Sequence, residues 1–193
     1  MKLCVQPFAD YLAFLGRLSP EKGPHLAIAM AKRSGWRLKM AGKVDVVDVN
    51  YFEQEIKPHI DGKQIEYLGE ATHEQKNALM GGAVATLFPI TWHEPFGLVM
   101  IESMASGTPV IAMNLGSTPE VIAHGKTGFL CQSVEECIAA IAQAAQLNRS
   151  ACREHVLNHF SAQRMTDGYE AVYQQILTER FAQNGHVRNR MRV

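Results

Sequence analysis

Six short strand-like runs, apolar or alternating and separated by segments of helical pattern, constrain this chain more than any other feature. They span 11–15, 36–41, 64–68, 83–88, 109–112 and 129–131. The first three stop at Gly16, Gly42 and Gly69 and the fourth at Pro89, the residues that end strands where a loop begins. Leu26, Ile28, Ala29 and Met30 carry a helix to about Arg33, and Tyr51, Phe52, Ile56 and His59 a shorter one. Thr72-His73-Glu74-Gln75 is a capping box, with Thr72 as N-cap, and the helix it opens is expected to break at Gly81-Gly82. Pro119 opens a short helix, and 134–146, 149–159 and 161–181 are helical in pattern. This alternation predicts the fold class: α/β, a doubly wound parallel sheet with a helical C-terminus.

In such a sheet ligands bind outside the carboxyl ends of the strands, so the loops there carry the candidate chemistry. After the first strand comes Gly16-Arg17-Leu18-Ser19-Pro20-Glu21-Lys22-Gly23. Arg17 offers a planar fork and Lys22 a mobile point charge, and both suit a diphosphate. Gly42 marks close approach of backbone at the end of the second strand, and Leu68 lies at the end of the third. After the fourth strand, Glu94 and Glu102 stand eight residues apart across Pro95, Phe96, Gly97, Leu98 and Val99. A helix starting near Phe96 or Gly97 points unpaired N–H groups and a positive dipole end at the crevice, an anion site. Leu98, Ile101, Glu102 and Ala105 share a helical face, so Glu102 is expected on or beside the apolar stripe, where a carboxylate needs partners such as a vicinal diol. Lys76 faces out of the preceding helix, where it could reach a ligand or simply stand in solvent.

Composition removes several classes. The 193 residues carry 19 basic and 19 acidic side chains, so no overall field favours nucleic acid. No apolar run approaches the roughly 18 residues of a membrane span. Met1 to Val5 runs straight into Gln6-Pro7 without a signal-peptide core, so the expected location is cytoplasmic. The four cysteines form no CxxC, and the eight histidines no HExxH, so buried inert thiols and no metal site are expected. Gly125-Lys126-Thr127-Gly128 has the look of a P-loop end, but the glycine that motif needs at position 120 is Glu, and no G-x-G-x-x-G is present.

Taken together, Gly16–Gly23, Tyr67-Leu68-Gly69, Glu94-Pro95-Phe96-Gly97-Leu98-Val99-Met100-Ile101-Glu102, Gly107-Thr108-Pro109-Val110-Ile111 and Gly125–Phe129 resemble the donor-binding, C-terminal half of family-4 retaining glycosyltransferases of the GT-B fold. The match covers about residues 11 to 180, with its motifs in the expected order. The resemblance implies transfer of a sugar from a nucleotide diphosphate sugar, of UDP-glucose type by family frequency, with retention and without a metal or other cofactor. It implies that Arg17 and Lys22 hold the diphosphate as leaving group, with Gly16 in their loop. Glu94 would hold donor-sugar hydroxyls. Phe96, Gly97 and Leu98 would present backbone amides to sugar and phosphate, Glu102 would bind the ribose diol, backbone near Leu68 would meet the base, and Gly42 and Val99 are counted with them as substrate-binding. Glu94, Arg17 and Lys22 are therefore the expected catalytic residues.

Complete enzymes of that family have an N-terminal domain for the acceptor, a saccharide or a lipid-linked one, as in polysaccharide biosynthesis. The expectation is a donor domain over 1–182, a basic disordered tail over 183–193, and an acceptor domain outside this chain: a truncated piece, a gene fragment or one half of a two-chain enzyme. The last helix is expected to expose an apolar face that favours self-association or a partner chain, and the basic tail offers weak peripheral contact with an anionic membrane. Two alternatives stay open: a non-catalytic nucleotide-sugar binding or interaction module, and a nucleotide-sugar epimerase or related hydrolase.

Overall fold

Tyr11–Leu15 forms β1, and all five of its side chains are buried. A strand hidden on both faces is a central strand of a sheet covered on both sides. The computed structural model describes the backbone of residues 10–190 and the side chains of residues 10–180. Around β1 lie β2 (Arg37–Ala41), β3 (Ile65–Tyr67), β4 (Ala85–Phe88), β5 (Val110–Met113) and β6 (Gly128–Cys131). The order is β3-β2-β1-β4-β5-β6, with every pair parallel. The chain winds outward from β1 to β3, then resumes on the other side with β4 and winds outward to β6. The reversal between β1 and β4 is the switch point, where a ligand crevice opens.

The connections are α1 (Pro24–Ser34), an irregular helical stretch over 46–59 that includes α2 (Val49–Tyr51), α3 (His73–Gly82), α4 (Leu98–Ala105), α5 (Thr118–Val121), α6 (Val134–Ala144), α7 (Arg149–His159) and α8 (Ala162–Arg190). Alternation along β1 divides the core. Leu12 and Phe14 join Leu38 and Met40 of β2, Ala27, Ile28 and Ala31 of α1, and Cys137 and Ile141 of α6. Tyr11, Ala13 and Leu15 join Leu79 and Met80 of α3 on the other face. Each fully buried leucine here contributes about 2 kcal/mol by leaving water. Cys131, Cys137 and Cys152 are buried free thiols, whereas Cys4, with the rest of residues 1–9, lies outside the described residues.

Three expectations need correction. The α3 helix does not break at Gly81-Gly82 but runs through both. Gly82 serves packing: a Cβ there would stand 2.6 Å from the Tyr11 hydroxyl, which donates to the Leu79 carbonyl at 2.8 Å. The face of α4 turned to the core is Met100, Ser103 and Met104, while Leu98 is 64% exposed. Ser103 is buried because its hydroxyl bonds Thr86 Oγ1 at 2.7 Å and the Thr108 carbonyl at 3.0 Å. Residues 183–190, expected as tail, continue α8, and 191–193 lie outside the described residues.

The chain divides into two compact units, Met1–Val156 and Leu157–Val193. The first holds the sheet. Within the second, α8 carries Met165, Tyr169, Val172, Tyr173, Ile176 and Leu177 at helical spacing, each at least half exposed. Among the described residues no helix is long and apolar enough to cross a membrane.

Candidate active site

The ends of β1, β2 and β3 are stitched by backbone. Gly16 N–H donates to Ala41 at 3.1 Å, Leu18 N–H to Lys43 at 2.9 Å, and Gly42 N–H to Gly69 at 2.9 Å. Gly42 has φ 153°, and a Cβ there would fall 1.7 Å from the Gly16 carbonyl oxygen, so only glycine fits. Above this floor lies a cavity of about 280 Å³. Leu15, Gly16, Gly42 and Val99 form its apolar and backbone walls, and Lys43, Glu70, Lys76 and Glu102 its charged ones. Lys76 lines this cavity from α3, and Glu102 faces it from beside the apolar stripe. Leu68 is half exposed and outside this lining, with its N–H committed to the Met40 carbonyl at 2.9 Å.

A second cluster stands at the mouth of α4. Lys22 Nζ pairs with Glu94 Oε2, and the same oxygen accepts from Trp92 Nε1 at 2.9 Å. Lys22 Nζ also lies 4.9 Å from the centroid of the Trp92 ring. The two charged side chains are mostly shielded, 22% and 11% exposed. Gly97 is the N-cap of α4 at φ 77°, with no side-chain cap, so the first N–H groups of the helix are not taken by a capping side chain. Phe96 and Leu98 on either side of it are exposed.

The loop after β5 backs this turn. Ser117 N–H donates to the Glu94 carbonyl at 3.0 Å, and Ser117 Oγ to the Phe96 carbonyl at 2.9 Å. A Cβ on Gly116 would lie 2.5 Å from Glu94 N. Thr91 N–H donates to the Glu21 carbonyl at 3.0 Å and ties the loop after β4 to the loop after β1. Similarly, a Cβ on Gly23 would meet the Pro89 oxygen at 2.0 Å.

Arg17 occupies a third place. It pairs with Glu21, and lies 3.5 Å from Asp45 Oδ2 and 3.9 Å from Asp48 Oδ2. Burial works against its charge, but the hydrogen bond and charge of Glu21, then Asp45 and Asp48, outweigh it and raise the guanidinium above its ordinary range. Asp45 also holds Lys43 at 2.8 Å, and the Lys43 hydrogen bond is the largest influence keeping its carboxyl below the usual range. The structure thus joins Lys22 to Glu94 and gathers Gly16, Gly42, Val99 and Glu102 around one cavity. It leaves Arg17 in a carboxylate cluster of its own. Trp92, Asp45, Asp48, Gly116 and Ser117 are parts of the arrangement that sequence reasoning missed. Only the Gly116-Ser117 pair gave a signal, as the start of the stretch that opens the short helix at Pro119. Among the described residues no three His, Cys, Asp or Glu side chains gather as metal ligands.

A sequence profile described as "Glycosyl transferases group 1" matches residues 9–156. The glycogen synthase of Mycobacterium tuberculosis (strain ATCC 25618 / H37Rv) is 31% identical over 175 residues, 84% of this chain and 42% of that protein. The D-inositol 3-phosphate glycosyltransferase of Mycobacterium marinum is 28% identical, over 91% of this chain and 40% of its own length. The chain thus spans about two fifths of the length of these curated relatives. Among solved structures, AviGT4, a glycosyltransferase involved in Avilamycin A biosynthesis, superposes with a TM-score of 0.72 at 26% identity, over 90% of this chain and 53% of its own. The C-terminal domain of a group 1 glycosyl transferase (LpcC) from Francisella tularensis shares the fold, with a TM-score of 0.65 at 21% identity over 81% of this chain and 89% of that one. With the profile covering most of the sheet-bearing unit, the chain belongs to the group 1 glycosyltransferases and corresponds to the C-terminal, GT-B half of such an enzyme.

Proposed function

We propose that this chain binds the nucleotide diphosphate sugar of a retaining, metal-independent glycosyl transfer, with UDP-glucose as the favoured donor and a saccharide or lipid-linked acceptor held by a further domain. The observation that carries the reading is the Lys22–Glu94 pair at the uncapped start of α4, beside a cavity that Glu102 faces. A departing diphosphate needs positive charge that is already in place, which Lys22 and the helix N-terminus supply without a metal. On binding, phosphate oxygens take Lys22 and the first N–H groups of Leu98 and Val99. Glu94, freed of its cation, accepts hydroxyls of the sugar. Glu102 accepts the two ribose hydroxyls, with the base between the Gly42 and Glu70 sides of the cavity. Arg17 reaches the diphosphate by exchanging its carboxylate partners for phosphate.

Calorimetric titration of the chain with uridine, guanosine and adenosine diphosphates, then with the matching sugar nucleotides, without added metal, tests this. Binding of one base in the micromolar to millimolar range is expected. Absence of binding by all three, in this chain and in one completed with an acceptor domain, sinks the reading.

A further inference from the structure

Trp92 touches both members of the pair on which the proposed donor site turns. Its Nε1–H donates to Glu94 Oε2 at 2.9 Å, and its ring lies under Lys22 Nζ at 4.9 Å. Lys22 and Glu94 also meet each other, so the three side chains form a closed triangle. The backbone holds the triangle from both sides: Thr91 N–H is anchored on the Glu21 carbonyl, and the Glu94 carbonyl accepts from Ser117 N–H. Glu94 N–H turns back to the Trp92 carbonyl at 3.0 Å, which keeps the two residues in one tight turn. The indole is 38% exposed, so shelter from water is not what selects a large aromatic here.

We propose that Trp92 is a positioning residue for the donor sugar: its indole N–H holds the Glu94 carboxylate in place when phosphate draws Lys22 away. This rests on the reading of Lys22 and Glu94 given above. The charges explain the need. Lys22 neutralises Glu94, and any diphosphate that recruits Lys22 leaves Glu94 without its cation, in a mostly buried place. An indole N–H cannot be deprotonated at working pH and cannot accept, so it remains a donor to Oε2 in both states. With Oε2 held, the remaining oxygen is left to the sugar hydroxyls. The ring face meanwhile gives Lys22 a place to rest that competes little with phosphate.

The test uses the full chain and Trp92→Phe, which keeps a ring under Lys22 and removes the N–H. The quantity measured is the sugar increment, the ratio of affinities for a nucleotide sugar and for its bare nucleotide diphosphate. In Trp92→Phe the increment should fall by about tenfold while affinity for the diphosphate alone changes by less than about twofold. Equal losses for both ligands, or no loss of either, overturn the proposal, because a residue that merely packs would not separate them. A second measurement needs no donor. The chain has two tryptophans, Trp36 and Trp92, so the indole N–H resonances are readily assigned. Glu94→Gln should move the Trp92 resonance upfield, as the charged acceptor becomes neutral, and leave Trp36 in place. An unmoved Trp92 resonance overturns the proposal. Should neither the parent chain nor one completed with an acceptor domain bind nucleotide, the donor reading falls by itself, and the resonance alone decides whether Trp92 holds Glu94.

Discussion

Arg17 Nε lies 3.9 Å from Oδ2 of Asp48, a buried carboxylate oxygen that has no hydrogen-bond donor among the described residues. With Glu21 and Asp45 on the same guanidinium, three carboxylates share one arginine. A diphosphate approaching Arg17 therefore meets a surplus of negative charge that must be displaced or endured. Removing the most exposed of these charges should help the ligand. Asp45→Asn is expected to raise affinity for the nucleotide diphosphate by about threefold at low salt, with the gain shrinking as salt is added. Titration at two ionic strengths checks this, and weaker binding in the variant would show that Asp45 supports the ligand instead of opposing it.

Glu102 faces the cavity from the second turn of α4. If its carboxylate accepts both ribose hydroxyls, Glu102→Ala should weaken nucleotide binding by roughly 2–4 kcal/mol. A 2′-deoxy ligand should bind the parent chain less well and lose little more in the variant. Equal sensitivity of the two proteins to the missing hydroxyl would remove the assignment.

The strands were legible because β1 is apolar throughout and β4 nearly so, and they stop at Gly16 and Pro89, which no helix or strand continues past. The Thr72–Gln75 capping box was legible because both of its bonds are local, and both are present, at 3.3 Å and 2.8 Å. The buried side of α4 was not. Residues 98–105 are apolar nearly all round, so periodicity cannot choose a face, and the choice is made by Thr86 and Thr108, which accept Ser103 into the core. The Lys22–Glu94 pair could be placed in one crevice from loop positions alone. Trp92 could not, because its contacts depend on how the turn between Thr91 and Glu94 folds back on itself. The carboxylates around Arg17 escaped notice for the same reason: Asp45 and Asp48 come from the stretch after β2 and meet Arg17 only through the pairing of β1 with β2.

Arg149 shows how much of the fold rests on one buried cation. Its guanidinium donates to the carbonyls of Gly81 at 2.8 Å and Ala83 at 2.9 Å and to the Thr108 hydroxyl. It thereby satisfies the carboxyl end of α3 just where the chain turns into β4. Arg149→Met keeps the volume but strands those carbonyls, at a cost of about 3 kcal/mol. The urea midpoint should fall with an unchanged m-value, and nucleotide affinity should hold in the fraction that remains folded. A midpoint within error of the parent would mean that water replaces the guanidinium at no cost.

His25, near the start of α1, should make stability depend on pH. Burial holds its imidazole below the ordinary value, although nearby Glu55 pulls the other way. Its Nδ1 lies 2.6 Å from the Tyr51 hydroxyl, whose own pKa is pushed up to about 12, chiefly by burial, so that the hydroxyl stays protonated. A protonated tyrosine beside a half-buried imidazole favours the neutral ring, with Nδ1 as acceptor. The sign follows. Above the unfolded value of about 6.5 both states are neutral at His25 and its contribution is complete. As the pH falls below that value the unfolded chain takes up the proton first, and stability is lost until the folded imidazole also titrates. His25→Gln should therefore be less stable than the parent at about pH 7.5, where the Tyr51 contact counts most, yet lose less on going to about pH 5.5. Urea midpoints of both proteins at the two pH values check this. Parallel slopes would assign the acid sensitivity to other groups and leave His25 a packing residue.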